Sequence, residues 1–203
     1  MIVEIMVTPM VPAGEGGPRL GGIAMGVTLA AALAAVGLHV GAVILFSVAG
    51  AGIAVESFAD STSIAAVSVG LRTLFLGYVT VRVVWRVVND RVITHDTVFA
   101  VACGYVLIGL TWGGLYALVE AFKPGSFNVP PEWAGLTGGA VRPLTYFSLV
   151  VLTTVGFGDI MPRGPTASGL CVAEAIVGQL YMAIMIARMV GILASNRPEQ
   201  GGR

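Results

Sequence analysis

The chain has 203 residues, of which 56% are apolar and only 11% charged, with a mean hydropathy of +0.90. Such a composition excludes a soluble domain and points to membrane helices. Eleven basic residues balance eleven acidic ones, and with no basic run the chain is not expected to bind nucleic acid.

Residues 1–19 form an N-terminal segment in which Met1 to Pro12 is too short and proline-interrupted to span a bilayer. Glu4 stands where a secretory leader would carry a basic residue, and no A-x-A site follows, so a leader is not expected. Residues 20–89 hold accessory transmembrane helices. The run Leu20 to Val55 carries no charge other than a possible one on His39. As one helix it would reach roughly 54 Å at 1.5 Å per residue, against a hydrocarbon core about 30 Å thick. Either one strongly tilted helix runs through, with the N-terminus inside, or the run folds back near Gly37 to Gly41, with the N-terminus outside. The next apolar region, Ser63 to Val88, contains Arg72, Arg82 and Arg86, with Arg91 just beyond. A voltage sensor repeats a basic residue every third position. Here Phe75 and Tyr78 follow Arg72 at that spacing, so the pattern reads as one buried charge plus a cytoplasmic anchor.

A linker at 90–96 leads into an apolar helix at 97–121. A polar stretch rich in glycine and proline covers 122–142, and a short helix opens at Pro143 and runs to 152. The last helix is expected over 166–196, ended by Pro198, with a tail at 197–203. Cys103 and Cys171 fall toward opposite faces of the bilayer, and neither has metal-ligand spacing.

Between the short helix and the last one stands Thr153-Thr154-Val155-Gly156-Phe157-Gly158-Asp159. A potassium ion leaves water only where oxygens at similar distances replace its hydration shell. An extended strand supplies them when successive carbonyls turn one way, which Gly156 and Gly158 permit because glycine takes positive φ without a Cβ clash. Thr154 adds a hydroxyl at the inner end of that row. The string resembles the TVGYG filter of pore-loop potassium channels, with Phe157 in place of the tyrosine. Two further runs are similar to the pore regions of small prokaryotic members of that family. They are Tyr146-Phe147-Ser148 and Glu174-Ala175-Ile176-Val177-Gly178-Gln179-Leu180-Tyr181. The resemblance covers about 97 to 196, half of the chain.

It implies an all-α membrane protein: a pore-loop channel preceded by two or three accessory transmembrane helices, of which paired short helices would favour the hairpin. The pore domain would be 97–196, with outer helix 97–121, turret 122–142, pore helix 143–152, filter 153–159 and inner helix 166–196. Thr154, Val155, Gly156 and Phe157 would hold the permeant K+, with Thr153 and Gly158 completing the filter. Some potassium channels share the phenylalanine, so selectivity is expected to persist, although Phe157 has no hydroxyl with which to brace the filter. Asp159 would form a carboxylate ring at the extracellular mouth. Some relatives bond this aspartate to a carboxylate that here is Val150. Tyr146 and Phe147 are the expected aromatic packing around the filter.

Gly178 lies at the spacing of an inner-helix glycine and reads either as a hinge or as a packing contact. Below it Met182, Ile186 and Val190 share a helical face, either lining the cavity or packing against the preceding helix. Glu174 lies at membrane depth, where an ionised side chain is costly and usually finds a cavity or a partner. It is expected to support the filter from behind, with Arg72 in reach of it or of Glu120. One pore loop per chain and four per ring require a homotetramer. With the Asp159 end outside, Arg82, Arg86, Arg91, Arg188 and Arg197 all fall on the cytoplasmic side, as the positive-inside rule asks. The expectation is therefore a potassium-selective channel of the plasma membrane, multi-pass, with a cytoplasmic C-terminus and neither a cofactor nor catalytic chemistry. The rivals are a weakly selective cation channel and a subunit of a potassium transporter.

Overall fold

The computed structural model describes residues 62–90, 95–134 and 140–195. Segment 1–19, the run 20–55 with His39 and its hairpin alternative, Arg91, and the tail from Asn196 with Arg197 lie outside the described residues. What is described is all-α, built from α1 (Thr62–Asn89), α2 (His95–Phe122), α3 (Pro131–Ala134), α4 (Val141–Leu152) and α5 (Pro165–Ser195).

Three of these helices are long and apolar enough to cross a membrane, over Ala66–Asn89, Thr97–Phe122 and Pro165–Ile192. The 28 residues of α2 make a helix of roughly 42 Å, longer than the hydrocarbon core, so the bundle has room to tilt. The short helix α4 opens at Val141, two residues before Pro143, which sits within the first turn where its missing N–H is harmless. The turret is not wholly irregular, since α3 interrupts it.

Helix α1 packs along α2, and α2 along α4, while α5 closes the far side of both α2 and α4. Between α1 and α2 the apolar contact is interrupted by a polar link at Thr80. Thr80 Oγ1 lies 2.9 Å from Thr111 Oγ1 and bonds the carbonyl of Leu107 at 3.2 Å. Buried hydroxyls of this kind satisfy one another where lipid offers no partner. Against α4 the backbones come much closer. A Cβ at Gly113 would sit 2.6 Å from Thr145 Cα, so glycine is what lets α2 and α4 touch.

Among the described residues, two apolar clusters lie where α2, α4 and α5 meet. The outer one joins Tyr116 of α2, Phe127 of the turret and Leu144 and Phe147 of α4 with Ile160 and Ala167. Its rings meet at centroid distances of 5.2 to 5.6 Å in tilted or edge-on geometry, the favourable arrangement for aromatic quadrupoles. The inner cluster gathers Val87, Ile108, Leu152, Tyr181 and Met185. The segment after α2 is tied to the segment that follows Asp159 by Asn128 N–H to Met161 O (2.8 Å), by Arg163 N–H to Ser126 O (2.6 Å) and by an isolated bridge between Phe127 and Pro162. Glu120 accepts from the amides of Gly125 and Phe127 at 2.7 and 3.0 Å, turning the chain out of α2.

Candidate functional site

The site grows out of the end of α4. Thr153 caps that helix, its N–H bonded to Leu149 O at 3.0 Å and its hydroxyl to the same carbonyl at 2.7 Å. The next two amides still reach back into the helix, Thr154 N–H to Val151 O and Val155 N–H to Val150 O. Beyond that the chain leaves the helix, and its φ angles alternate in sign. Thr154, Gly156 and Gly158 have φ of 60°, 57° and 78°, while Val155 and Phe157 lie on the ordinary negative side. A strand with φ of one sign presents its carbonyls alternately to its two faces. Inverting every second residue turns successive carbonyls toward one face. Positive φ is free for glycine, but for a β-branched residue it is an outlier costing about 1–2 kcal/mol. Thr154 therefore holds a strained backbone, which sequence reasoning did not anticipate because nothing in a threonine's identity suggests it. All six residues from Thr153 to Gly158 are exposed in the single chain, Phe157 by 69% and Val155 by 53%.

The outer end of this strand is anchored. Tyr146 on α4 donates its hydroxyl to Asp159 Oδ2 at 2.8 Å, and Ile160 N–H donates to Oδ1 at 2.9 Å. The ring of Trp133, on α3, stands edge-on to Tyr146 at 4.9 Å. Burial, and then the bond to Asp159, push the Tyr146 phenol up to about 12, so it remains a donor at neutral pH. Sequence reasoning took Tyr146 as packing and noted only that Val150 offers Asp159 no carboxyl. The hydroxyl of Tyr146, four residues earlier and one turn up the same helix, does that work instead. Phe147, next to it, is buried in the outer aromatic cluster, against which Tyr146 also packs.

Glu174 is fully buried, two to three turns into α5, and its carboxyl bridges two other helices. Tyr116 of α2 donates to Oε2, and Ser148 of α4 lies in hydrogen-bond contact with Oε1. Neither partner was identified from sequence. The usable signal was that a tyrosine hydroxyl inside an apolar run requires a partner of its own.

The inner end is held from α2 and α5. Tyr105 donates to the carbonyl of Leu152, the last residue of α4, at 2.8 Å. Tyr105 stacks on Tyr181, whose hydroxyl bonds Val101 O at 2.8 Å. Gly178 faces Leu152 directly, and α5 runs through it without a break. Further along α5, Met182, Ile186 and Val190 are exposed by 37%, 56% and 60%. Val172, Ile176, Leu180 and Ile184 are exposed as well, so a broad apolar surface of α5 is uncovered in one chain. Arg188 donates to the carbonyls of Val87 and Asp90, which places its positive charge at the negative end of α1.

Comparison with known proteins bears on the same region. Residues 143–195 match a family model described as an ion channel. Among curated proteins, two pore potassium channel c of Oryza sativa subsp. japonica is 30% identical over 102 residues, which is 50% of this chain and 20% of that protein. Two pore potassium channel a of the same organism is 28% identical over 71 residues, covering 35% of this chain and 20% of that one. The match thus spans about a fifth of the length of these curated relatives. No solved structure matches the chain.

Proposed function

We propose that the chain is one subunit of a potassium-selective channel in which four copies surround a central pore and K+ moves passively down its gradient. The observation that carries this reading is the alternation of φ at Thr154, Gly156 and Gly158 in a strand exposed along its whole length. One such strand offers a row of carbonyls on one side. Four, related by a cyclic axis, offer a cage able to replace the hydration shell of a dehydrated ion. In this reading Thr154, Val155, Gly156 and Phe157 hold K+ as the transported substrate, with Thr153 and Gly158 at the two ends.

The surroundings fit the task. The carbonyl end of α4 carries partial negative charge toward the axis, which favours a cation at membrane depth. Asp159, repeated four times, concentrates cations at the outer mouth. The uncovered face of α5 supplies both the contacts between subunits and an apolar cavity, with Met182, Ile186 and Val190 as its lining and Gly178 at the level where α5 meets α4. The protein sits as a multi-pass protein in the plasma membrane with the Asp159 mouth outside and the C-terminus in the cytoplasm. Arg82, Arg86 and Arg188 then lie on the side the positive-inside rule requires. No catalytic step enters the reading, and the permeant ion is the only small partner.

Reconstitution into liposomes tests it. A K+ gradient should drive flux and an equal Na+ gradient should drive far less. Equal fluxes would move the protein to the weakly selective cation channels, and no flux of either ion would remove the channel reading. Mass measurement of the detergent-solubilised protein should return four copies.

A further inference from the structure

We propose that Glu174 is held as a neutral carboxylic acid and donates the hydrogen bond that joins α5 to α4 behind the filter. A count of hydrogens over these contacts argues for it. Three contacts meet around this carboxyl: Tyr116 hydroxyl to Oε2, Ser148 hydroxyl to Oε1, and Ser148 hydroxyl to the carbonyl of Gly109 at 2.7 Å. Gly109 O only accepts. Tyr116 and Ser148 bring one hydrogen each, and a serine hydroxyl donates only once. Two hydrogens do not fill three bonds. A carboxylate would force Ser148 to choose, leaving either Gly109 O or Oε1 facing the serine oxygen with no proton between. A proton on Glu174 Oε1 resolves all three contacts: Glu174 donates to Ser148, Ser148 donates to Gly109 O, and Tyr116 donates to Glu174 Oε2.

The setting favours the same answer independently. Glu174, Ser148 and Tyr116 each have no accessible surface, and a bare charge at this depth is costly. Among the described residues, Tyr105 of α2 and Cys171 of α5 also act on this cluster, and neither of these supplies a positive charge at neutral pH. The consequence reaches the pore. Four ionised glutamates behind four pore helices would add a fixed ring of negative charge at membrane depth. Four neutral acids add none, and leave the field on the ion to backbone dipoles. Glu174 is then a positioning residue: it joins α2, α4 and α5 without touching the ion.

Infrared spectroscopy of the lipid-reconstituted protein at neutral pH reads the carbonyl stretch of a protonated carboxyl directly. The wild type should show this band, Glu174→Gln should remove it, and Ser148→Ala, which keeps the acid and deletes its acceptor, should shift it. A wild type without the band, or a band indifferent to both substitutions, overturns the proposal. A second measurement tests the donor role. Glutamine reproduces the acid's pattern, donating to Ser148 and accepting from Tyr116, so Glu174→Gln should keep oligomer survival in detergent within about twofold, whereas Glu174→Leu should lose roughly tenfold or more. A glutamine variant as unstable as the leucine variant, or a leucine variant equal to wild type, also refutes it. Neither readout needs ion flux, so a protein that conducts with an ionised Glu174 sinks this inference alone, and one that does not conduct sinks only the channel reading.

Discussion

Replacing Gly178 with alanine puts a methyl group where Leu152 already sits. A Cβ at this position would lie 2.6 Å from Leu152 Cδ1 and 3.3 Å from Leu152 O. The carbonyl is not free to move, because it ends α4 and holds the Tyr105 hydroxyl at 2.8 Å. The side chain has little room to retreat either. Leu152 is fully buried, and its second methyl already faces Gly109 on α2, where an added Cβ would meet it at 3.4 Å. Overpacking a core this tight costs about 3 kcal/mol, the upper part of the usual range. Alanine returns about 1 kcal/mol through its better helix propensity. The net expectation is a loss of about 2 kcal/mol per subunit, a factor of about 30 in the folded ratio. Unfolding in a graded series of denaturing detergent, followed by tryptophan fluorescence, measures it. A double-mutant cycle with Leu152→Ala sharpens the test. Truncating Leu152 alone should cost about 2–5 kcal/mol, and the pair should cost less than the sum by at least about 0.5 kcal/mol. Wild-type stability in Gly178→Ala, or strict additivity in the pair, would refute the packing argument. A glycine serving only as a hinge would instead alter open probability and leave stability alone.

Gly156→Ala and Gly158→Ala should each abolish K+ flux in liposomes while helix content by circular dichroism stays unchanged. Within one chain no atom lies within 4 Å of where a Cβ would stand at either position, so the penalty inside the subunit is the positive φ, about 1–2 kcal/mol per residue; normal K+ flux from either variant would remove the filter assignment. Tyr146→Phe should leave assembly intact but let sustained K+ flux decay faster than in wild type, because a bond to a charged group worth about 1.5–3 kcal/mol is lost at Asp159. Flux traces that superimpose on wild type would show the anchor to be idle. Conductance should depend only shallowly on voltage, since one charge crossing the field is worth about 2.3 kcal/mol per 100 mV; a steep curve that flattens in Arg72→Gln would overturn this.

How far the sequence carried the structure follows from what each residue can reveal about its surroundings. The all-α class was legible because a chain this apolar has few other ways to satisfy its backbone in lipid. Positive φ at Gly156 and Gly158 was legible because the G-x-G spacing has a use only if both glycines turn. At Thr154 it was not, since a β-branched residue argues against the conformation it adopts. That Glu174 must turn inward follows from the cost of a charge in lipid, but its partners do not. Tyr116 lies 58 positions away and Ser148 lies 26 away, and hydroxyls inside apolar runs are numerous. Arg188 shows the same limit. As a charge near a helix end it reads as an anchor at the cytoplasmic surface, whereas its guanidinium turns back to the carbonyls that end α1. Pairings across helices depend on rotation about each axis, and hydropathy alone leaves that rotation undetermined.

On the proposed reading, a strand that keeps its carbonyls for ions cannot spend them on its own support, so it has to be held from its ends and from behind. The three tyrosines around it divide that work. Tyr105 takes the last carbonyl of α4 at the inner end, Tyr146 takes Asp159 at the outer end, and Tyr116 joins Ser148 on the buried Glu174 between them. Each hydroxyl comes from a helix packed in the interior, so the position of the strand is set by rigid elements and not by the loop that contains it. Phe157, which has no hydroxyl, offers no lateral side-chain bond from within the strand. The constraint therefore falls on the two ends and on the pore helix. Loosening either end should change conduction through the proposed filter even though none of the residues proposed to touch the ion has been altered.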